Sequence, residues 1–344
     1  MADKKKVTKK AGGARAEGAS GAAKSDAKDT GKKIIAVLGA TGAQGGGLVR
    51  AILNDKNGGF AARALTRDPS SEKAKALAEA GAEVVVVEAD NVKSLTKAFE
   101  GAHGAYCVTF FWEHMKPEKE LTQARNMAHA AKDAGVRHVI WSTLEDTRKS
   151  IPLSDDRMPT LMGKYKVPHF DAKGEANDIF TELGVPTTFL LTSFYWDNFI
   201  NFGMGPKKGA DGKLAITFPL GTKKLASIAA EDIGKVAYAI FEKGEEMIGK
   251  TVGVAGGHLN GAQMAKSFTK ALGQEVRYNA VTPAAYSGFG FPGADDLANM
   301  FQFNSEFEQD CCDARNISET KSLNPELMTF DRWLAQNKSR IPPG

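Results

Sequence analysis

The run Lys33-Ile34-Ile35-Ala36-Val37-Leu38-Gly39-Ala40-Thr41-Gly42-Ala43-Gln44-Gly45 takes an apolar strand directly into a helix through glycines spaced three apart, and no other stretch constrains the fold as much. Such a turn reads as a dinucleotide cradle. The first glycine permits the tight bend, the second lets backbone approach a pyrophosphate, and the third lets the helix lie close on the strand. The helix expected from Ala43 to about Leu53 offers unpaired amides and a partial positive charge at its start, where a phosphate would sit. With 36 glycines in the chain the spacing alone is weak. Its context gives it weight: an apolar strand before, an amphipathic helix bearing Leu48, Val49, Ile52 and Leu53 after, and a second strand within about thirty residues. Candidate cofactor contacts from the turn are Gly39, Thr41, Gly42, Ala43, Gln44 and Gly45.

Strand-like and helix-like segments then alternate. Strands are expected near 34–38, 62–66, 83–87, 104–109, 137–142, 186–191 and 250–254, and helices near 43–54, 71–80, 92–100, 117–134, 169–183, 229–243 and 261–272. Runs such as Val84-Val85-Val86-Val87 are apolar on both faces, as in a parallel sheet covered on each side. The pattern implies an α/β fold with a doubly wound, Rossmann-type parallel sheet. Two stretches rich in Pro, Gly, Lys and Asp, residues 143–168 and 192–225, break the rhythm. Both follow a strand on its carboxyl side, so they are expected to be loops walling a cleft. The organisation expected is a tail over residues 1–31, a nucleotide-binding domain of 32–191 with about 226–273, and a smaller, mostly helical domain of about 192–225 with 274–344.

Residues 1–33 hold ten Lys/Arg against four Asp/Glu, and the remainder holds 35 against 37, so the positive excess belongs to the tail. That tail lacks aromatic residues and is expected to be disordered. Its lysine clusters read first as a solvated solubility tail, with a nuclear address or a weak nucleic-acid contact as the alternative. The near-neutral body argues against nucleic-acid binding. No segment approaches the roughly 20 apolar residues of a membrane helix. The three cysteines, two of them adjacent, give no disulfide framework, which fits a reducing intracellular setting.

The end of the second strand discriminates between cofactors. An acid there binds the free 2′-hydroxyl of NAD, whereas an arginine accommodates the 2′-phosphate of NADP. Here the segment is Leu65-Thr66-Arg67-Asp68-Pro69, so Arg67 takes the discriminating place with Thr66 adding a hydroxyl, and NADP(H) is expected. Asp68, one residue late and before proline, reads as a turn residue or helix cap. Asp90 and Asn91, after the third strand, reach an adenine edge or cap the next helix. Thr109 ends the fourth strand beside the expected ribose and nicotinamide.

Together the stretches GATGAQGG (39–46), LTRDP (65–69), HFDAKGE (169–175), YWDN (195–198) and FPGADDLANMFQF (291–303) resemble the NmrA-like branch of the atypical short-chain dehydrogenase/reductases, and within it the NADPH-sensor proteins. The resemblance covers nearly everything after residue 32. It implies a Rossmann core with a small C-terminal domain, NADP binding, frequent regulation in place of turnover, a protein partner, and a cytoplasmic and nuclear location. A homodimer is compatible with it. Catalytic short-chain enzymes place a tyrosine four residues before a lysine on one helix face, with a serine at the end of the fifth strand to polarise a carbonyl. This chain keeps Lys173, expected to hold the nicotinamide ribose whether or not chemistry occurs, and Ser142, but has His169 in the tyrosine's place. An imidazole can move protons near neutrality, yet one at a helix start beside a lysine is expected to stay neutral and to be a poor acid. Tyr165 is followed four residues later by His169, not by a lysine. His103, His114, His129, His138 and His258 lack ligand spacing, so no metal is expected. Two functions remain: an NADP(H) redox sensor with weak or no dehydrogenase activity, or an NADPH-dependent oxidoreductase on a small carbonyl, enone or quinone. Phe110, Phe111, Trp112, Phe194 and Tyr195 either line a ligand cleft or fill core.

Overall fold

A computed structural model describes residues 31–209 and 211–342. The tail expected over residues 1–31 lies outside the described residues apart from Gly31. Among the described residues no helix is long and apolar enough to cross a membrane.

All seven expected strands form, as one parallel sheet: β1 Lys33–Val37, β2 Phe60–Thr66, β3 Glu83–Val86, β4 Gly104–Cys107, β5 His138–Thr143, β6 Thr187–Leu191, and Thr251–Gly253. Their spatial order is Thr251–Gly253, β6, β5, β4, β1, β2, β3. The order reverses at β1, which pairs with β2 on one side and β4 on the other. A crevice therefore opens at its carboxyl end. Burial of successive side chains explains the apolar runs. Ile35 and Val37 enter one core with Leu48, Val49, Ile233 and Val236, while Ala36 and Leu38 enter the other with Leu95, Phe99, Ala124 and Met127.

Helices α1 Ala43–Asn54, α2 Glu72–Glu79, α3 Val92–Phe99, α5 Pro117–Asp133 and α6 Pro168–Glu182 fall where the 3.6-residue pattern places them, and a single further turn, α4 Phe111–His114, precedes α5. The short α4 has no counterpart in the sequence expectation. Helix α1 packs on the helix Ala230–Lys243 with no room between them, since a Cβ on Gly234 would stand 2.2 Å from the Leu48 amide nitrogen.

Residues 192–225, expected as loop, instead carry strands. Phe194–Tyr195, Lys224–Ile228 and Gly257–Asn260 form one three-stranded sheet, and Lys207–Lys208, Leu214–Phe218 and Val276–Ala280 form another. The segment Leu214-Ala215-Ile216-Thr217-Phe218 alternates buried and half-buried positions, a period of two that its Gly- and Lys-rich flanks obscure. A third core gathers beneath, rich in rings such as Phe194, Trp196, Phe199, Phe218, Phe301 and Trp333. The helix Gly261–Leu272 gives Met264 and Phe268 to this third core.

Candidate functional site

The carboxyl ends of β1, β2, β4 and β5 bring the sequence candidates to one edge. The turn after β1 is closed by the Gly42 amide donating to the Gly39 carbonyl (2.8 Å), and Gly39 lies in the left-handed region at φ 63°, which favours glycine. A Cβ on Gly39 would stand 3.1 Å from Val108, just past β4. A Cβ on Gly45 would lie 2.5 Å from the Gly39 carbonyl oxygen and 2.7 Å from that of Leu38. Gly42 caps α1 without any side chain, and Gly39, Gly42 and Ala43 are exposed with Thr41 half-buried. The start of α1 thus presents bare backbone amides at the crevice, a shape suited to a pyrophosphate.

Gln44 turns inward. Its amide oxygen accepts from the Tyr106 and Ser142 hydroxyls, the latter at 2.8 Å, and its nitrogen donates to the Tyr195 oxygen. Ser142 is buried, so the hydroxyl expected to polarise a carbonyl is engaged by Gln44. Burial, with Thr192 and Gln44 opposing it, pushes the Tyr195 phenol up to about 12.

Arg67 projects from the end of β2, and its guanidinium donates to the Glu113 carboxylate of α4. Thr66 and Asp68 serve the local turn: the Thr66 hydroxyl accepts from the Asp68 amide (3.2 Å), and Asp68 accepts from the Ser70 amide (2.9 Å). Asn91 caps α3 by accepting from the Ser94 amide (3.2 Å), and Asp90 accepts from Gln123 (2.9 Å) and pairs with Lys119 (3.1 Å).

The deepest group is a buried ion pair. Lys173 Nζ lies 2.6 Å from Glu120 Oε1 and donates to Thr109 Oγ1 (2.6 Å) and the Thr109 carbonyl (3.2 Å), with the Trp141 ring 5.5 Å away. Thr109 donates to the same carboxylate, and His114 Nε2 stands 3.5 Å from its other oxygen. Burial alone would raise the Glu120 carboxyl, but the Lys173 ammonium, with His114 and Thr109, outweighs it and holds the group at about 2. Lys173 is thus no solvated helix lysine.

His169 sits on the first turn of α6, where its Nδ1 faces Asp296 Oδ1 at 2.6 Å and its amide donates to Asp296 Oδ2 at 3.2 Å. Assigned from this contact, Nδ1 carries the proton and Nε2 is left to exchange one. The charged side chain holding His169 is therefore Asp296, whereas the sequence considered only Lys173. The Trp112 ring covers the imidazole at 4.7 Å.

The sequence missed Glu113, Glu120 and Asp296, which are all carboxylates holding predicted residues. Glu120 was legible in principle: Glu120, Ala124, Met127 and Ala131 form the buried stripe of α5, and a charge on such a stripe needs a partner. Of the candidate cleft rings, Phe194 belongs to the third core, Phe111 is buried, and Phe110 is exposed.

The loop 143–168 is fastened rather than loose. Asp171, fully buried, accepts from the Thr147 amide and hydroxyl (2.8 and 2.6 Å) and from the amides of Lys166 and Val167 (2.8 and 3.1 Å). A Cβ on Gly174 would stand 2.3 Å from the Asp146 nitrogen, so that loop also lies directly on α6.

The model of the NmrA-like family matches residues 31–334. The NmrA-like family domain-containing oxidoreductase malD of Malbranchea aurantiaca is 30% identical over 73% of this chain and 76% of its own length. The structure of NmrA, a negative transcriptional regulator, in complex with NADP superposes with a TM-score of 0.72 at 23% identity, covering 89% of this chain and 95% of that one. The Citrobacter sp. triphenylmethane reductase complexed with NADP(H) gives 0.69 at 21% identity, covering 88% and 99%.

Proposed function

The chain belongs to the NmrA-like family, and from that premise we propose that it binds NADP(H) and works as a redox sensor, passing its cofactor state to a protein partner in the cytoplasm and nucleus. One observation carries the reading: an open backbone cradle ending in Arg67 stands beside proton-transfer groups that are already committed. Ser142 is held by Gln44, Lys173 by Glu120 and Thr109, and His169 by Asp296 under Trp112. The residues fit the cofactor. The exposed amides at the start of α1 suit a pyrophosphate, the Arg67 fork suits a 2′-phosphate, and Thr109 and Lys173 lie where the nicotinamide ribose is expected. The NADP complex of the regulator NmrA supports the same assignment.

Calorimetric titration of NADPH, NADP, NADH and NAD tests the cofactor. The expected result is tight NADPH binding, with Arg67→Ala weakening NADPH by about 10- to 100-fold, the worth of a lost charge-assisted pair, and leaving NADH little changed. Equal NADPH affinity in Arg67→Ala would overturn the assignment.

A second reading, NADPH-dependent reduction of a small carbonyl, enone or quinone, is favoured by the His169–Asp296 pair, because a carboxylate accepting from Nδ1 fixes the ring and leaves Nε2 to take a proton from solvent and, as the imidazolium, hand it to the substrate oxygen. Bound NADPH would supply the hydride; His169 would supply the proton. The reductase neighbour with NADP(H) supports it. Following NADPH absorbance with quinones, enals and aromatic ketones separates the two. Negligible consumption is expected, and brisk turnover abolished by His169→Phe would replace the sensor with the reductase.

A further inference from the structure

The Arg67–Glu113 pair crosses the crevice. Arg67 stands at the end of β2 and Glu113 on α4 beyond β4, and β1 with its glycine turn runs between those two strands. Both side chains are largely solvated, 70% and 46% exposed. An exposed pair of this kind contributes little to stability, so its position matters more than its strength. A carboxylate next to the adenosine ribose accepts hydrogen bonds from free 2′- and 3′-hydroxyls and repels a 2′-phosphate; a guanidinium does the reverse. Rossmann sites of NAD type carry that acid at the end of β2. Here the end of β2 carries Arg67, and the acid arrives from α4 to occupy the same guanidinium.

Resting on the dinucleotide reading above, we propose that Glu113 is a specificity-determining residue. It is a displaceable internal competitor for the 2′-phosphate, and it also offers the carboxylate that an unphosphorylated ribose needs. NADP(H) binds by taking Arg67 from Glu113. NAD(H) binds with the pair intact. The chain therefore holds NADP(H) less tightly, and NAD(H) more tightly, than Arg67 alone would dictate. The chain neighbours of Glu113 face the other end of the site: the Trp112 ring lies 4.7 Å from that of His169, and His114 Nε2 3.5 Å from Glu120. Met115, at φ 52°, ends this single turn in the left-handed region.

The test is calorimetry of the full chain with NADPH and with NADH, for wild type, Glu113→Gln, Arg67→Ala and the double variant. Glu113→Gln is expected to tighten NADPH about fivefold and weaken NADH by a similar factor, and the NADPH gain is expected to shrink in the Arg67→Ala background. Unchanged affinities in Glu113→Gln, or NADPH and NADH moving together, would overturn the inference while leaving the cofactor reading standing. Wild type binding neither nucleotide would overturn both.

Discussion

Gly45→Ala is expected to abolish high-affinity NADPH binding, weakening it by about 100-fold or more, and to destabilise the fold by about 1–3 kcal/mol. The added methyl would meet the Gly39 and Leu38 carbonyl oxygens at 2.5 and 2.7 Å and the Gly39 carbonyl carbon at 2.8 Å. All three are backbone atoms of the turn itself, so no rotamer change relieves the clash. The start of α1 must retreat from the turn, carrying with it the amides that face the crevice. Two companions grade the effect. Gly42→Ala comes no nearer than 3.1 Å to the Gly39 carbonyl oxygen and 3.9 Å to its carbon and should cost less, whereas Gly59→Ala meets nothing within 4 Å and should leave binding and melting unchanged. Thermal denaturation and calorimetry on the three variants read both quantities. NADPH binding by Gly45→Ala at wild-type strength would remove the cradle from the account.

The order in which these positions could be recognised from the sequence follows from the range of the interactions involved. The strands of the main sheet and the helices beside it were legible because each buries a face against a neighbour and so repeats apolar residues at period one, two or 3.6. The glycine turn was legible because backbone sterics are local: Gly39 needs its φ and Gly45 its empty Cβ, whatever the rest of the chain does. The partners were not. Asp296 reaches His169 across 127 residues, and Glu113 reaches Arg67 across 46. Pairings at such separations leave no periodic trace, and an isolated carboxylate in sequence looks like any solvated one. Glu120 was the exception, an acid in the buried stripe of α5. The small sheets were hidden for a different reason, because their strands are two to five residues long and are embedded in segments whose composition is that of loops.

Glu120 carries the second large prediction. Removing one member of a buried ion pair leaves the other charge desolvated and unpaired, which costs about 3–5 kcal/mol. Glu120→Gln is therefore expected to lower stability by that amount at neutral pH, the Lys173 ammonium keeping Thr109 and a neutral amide but no compensating charge. The pH dependence supplies an independent signature. The Glu120 carboxyl is held at about 2 against an ordinary 4.5, so its contribution is complete above about 4.5 and is lost as pH falls through that window toward 2. Wild type should therefore lose stability steeply across that range in urea or guanidinium unfolding, while Glu120→Gln, having lost the pair at every pH, should show a flatter acid limb. Glu120→Gln combined with Lys173→Met removes both charges and should regain most of the stability without regaining NADPH affinity, because the ammonium that would meet the nicotinamide ribose is gone. That combination separates the two roles of Lys173. Recovered stability with lost binding assigns the ammonium to the ligand, whereas recovered stability with intact binding would make the pair a purely structural element of the β4–α5–α6 junction.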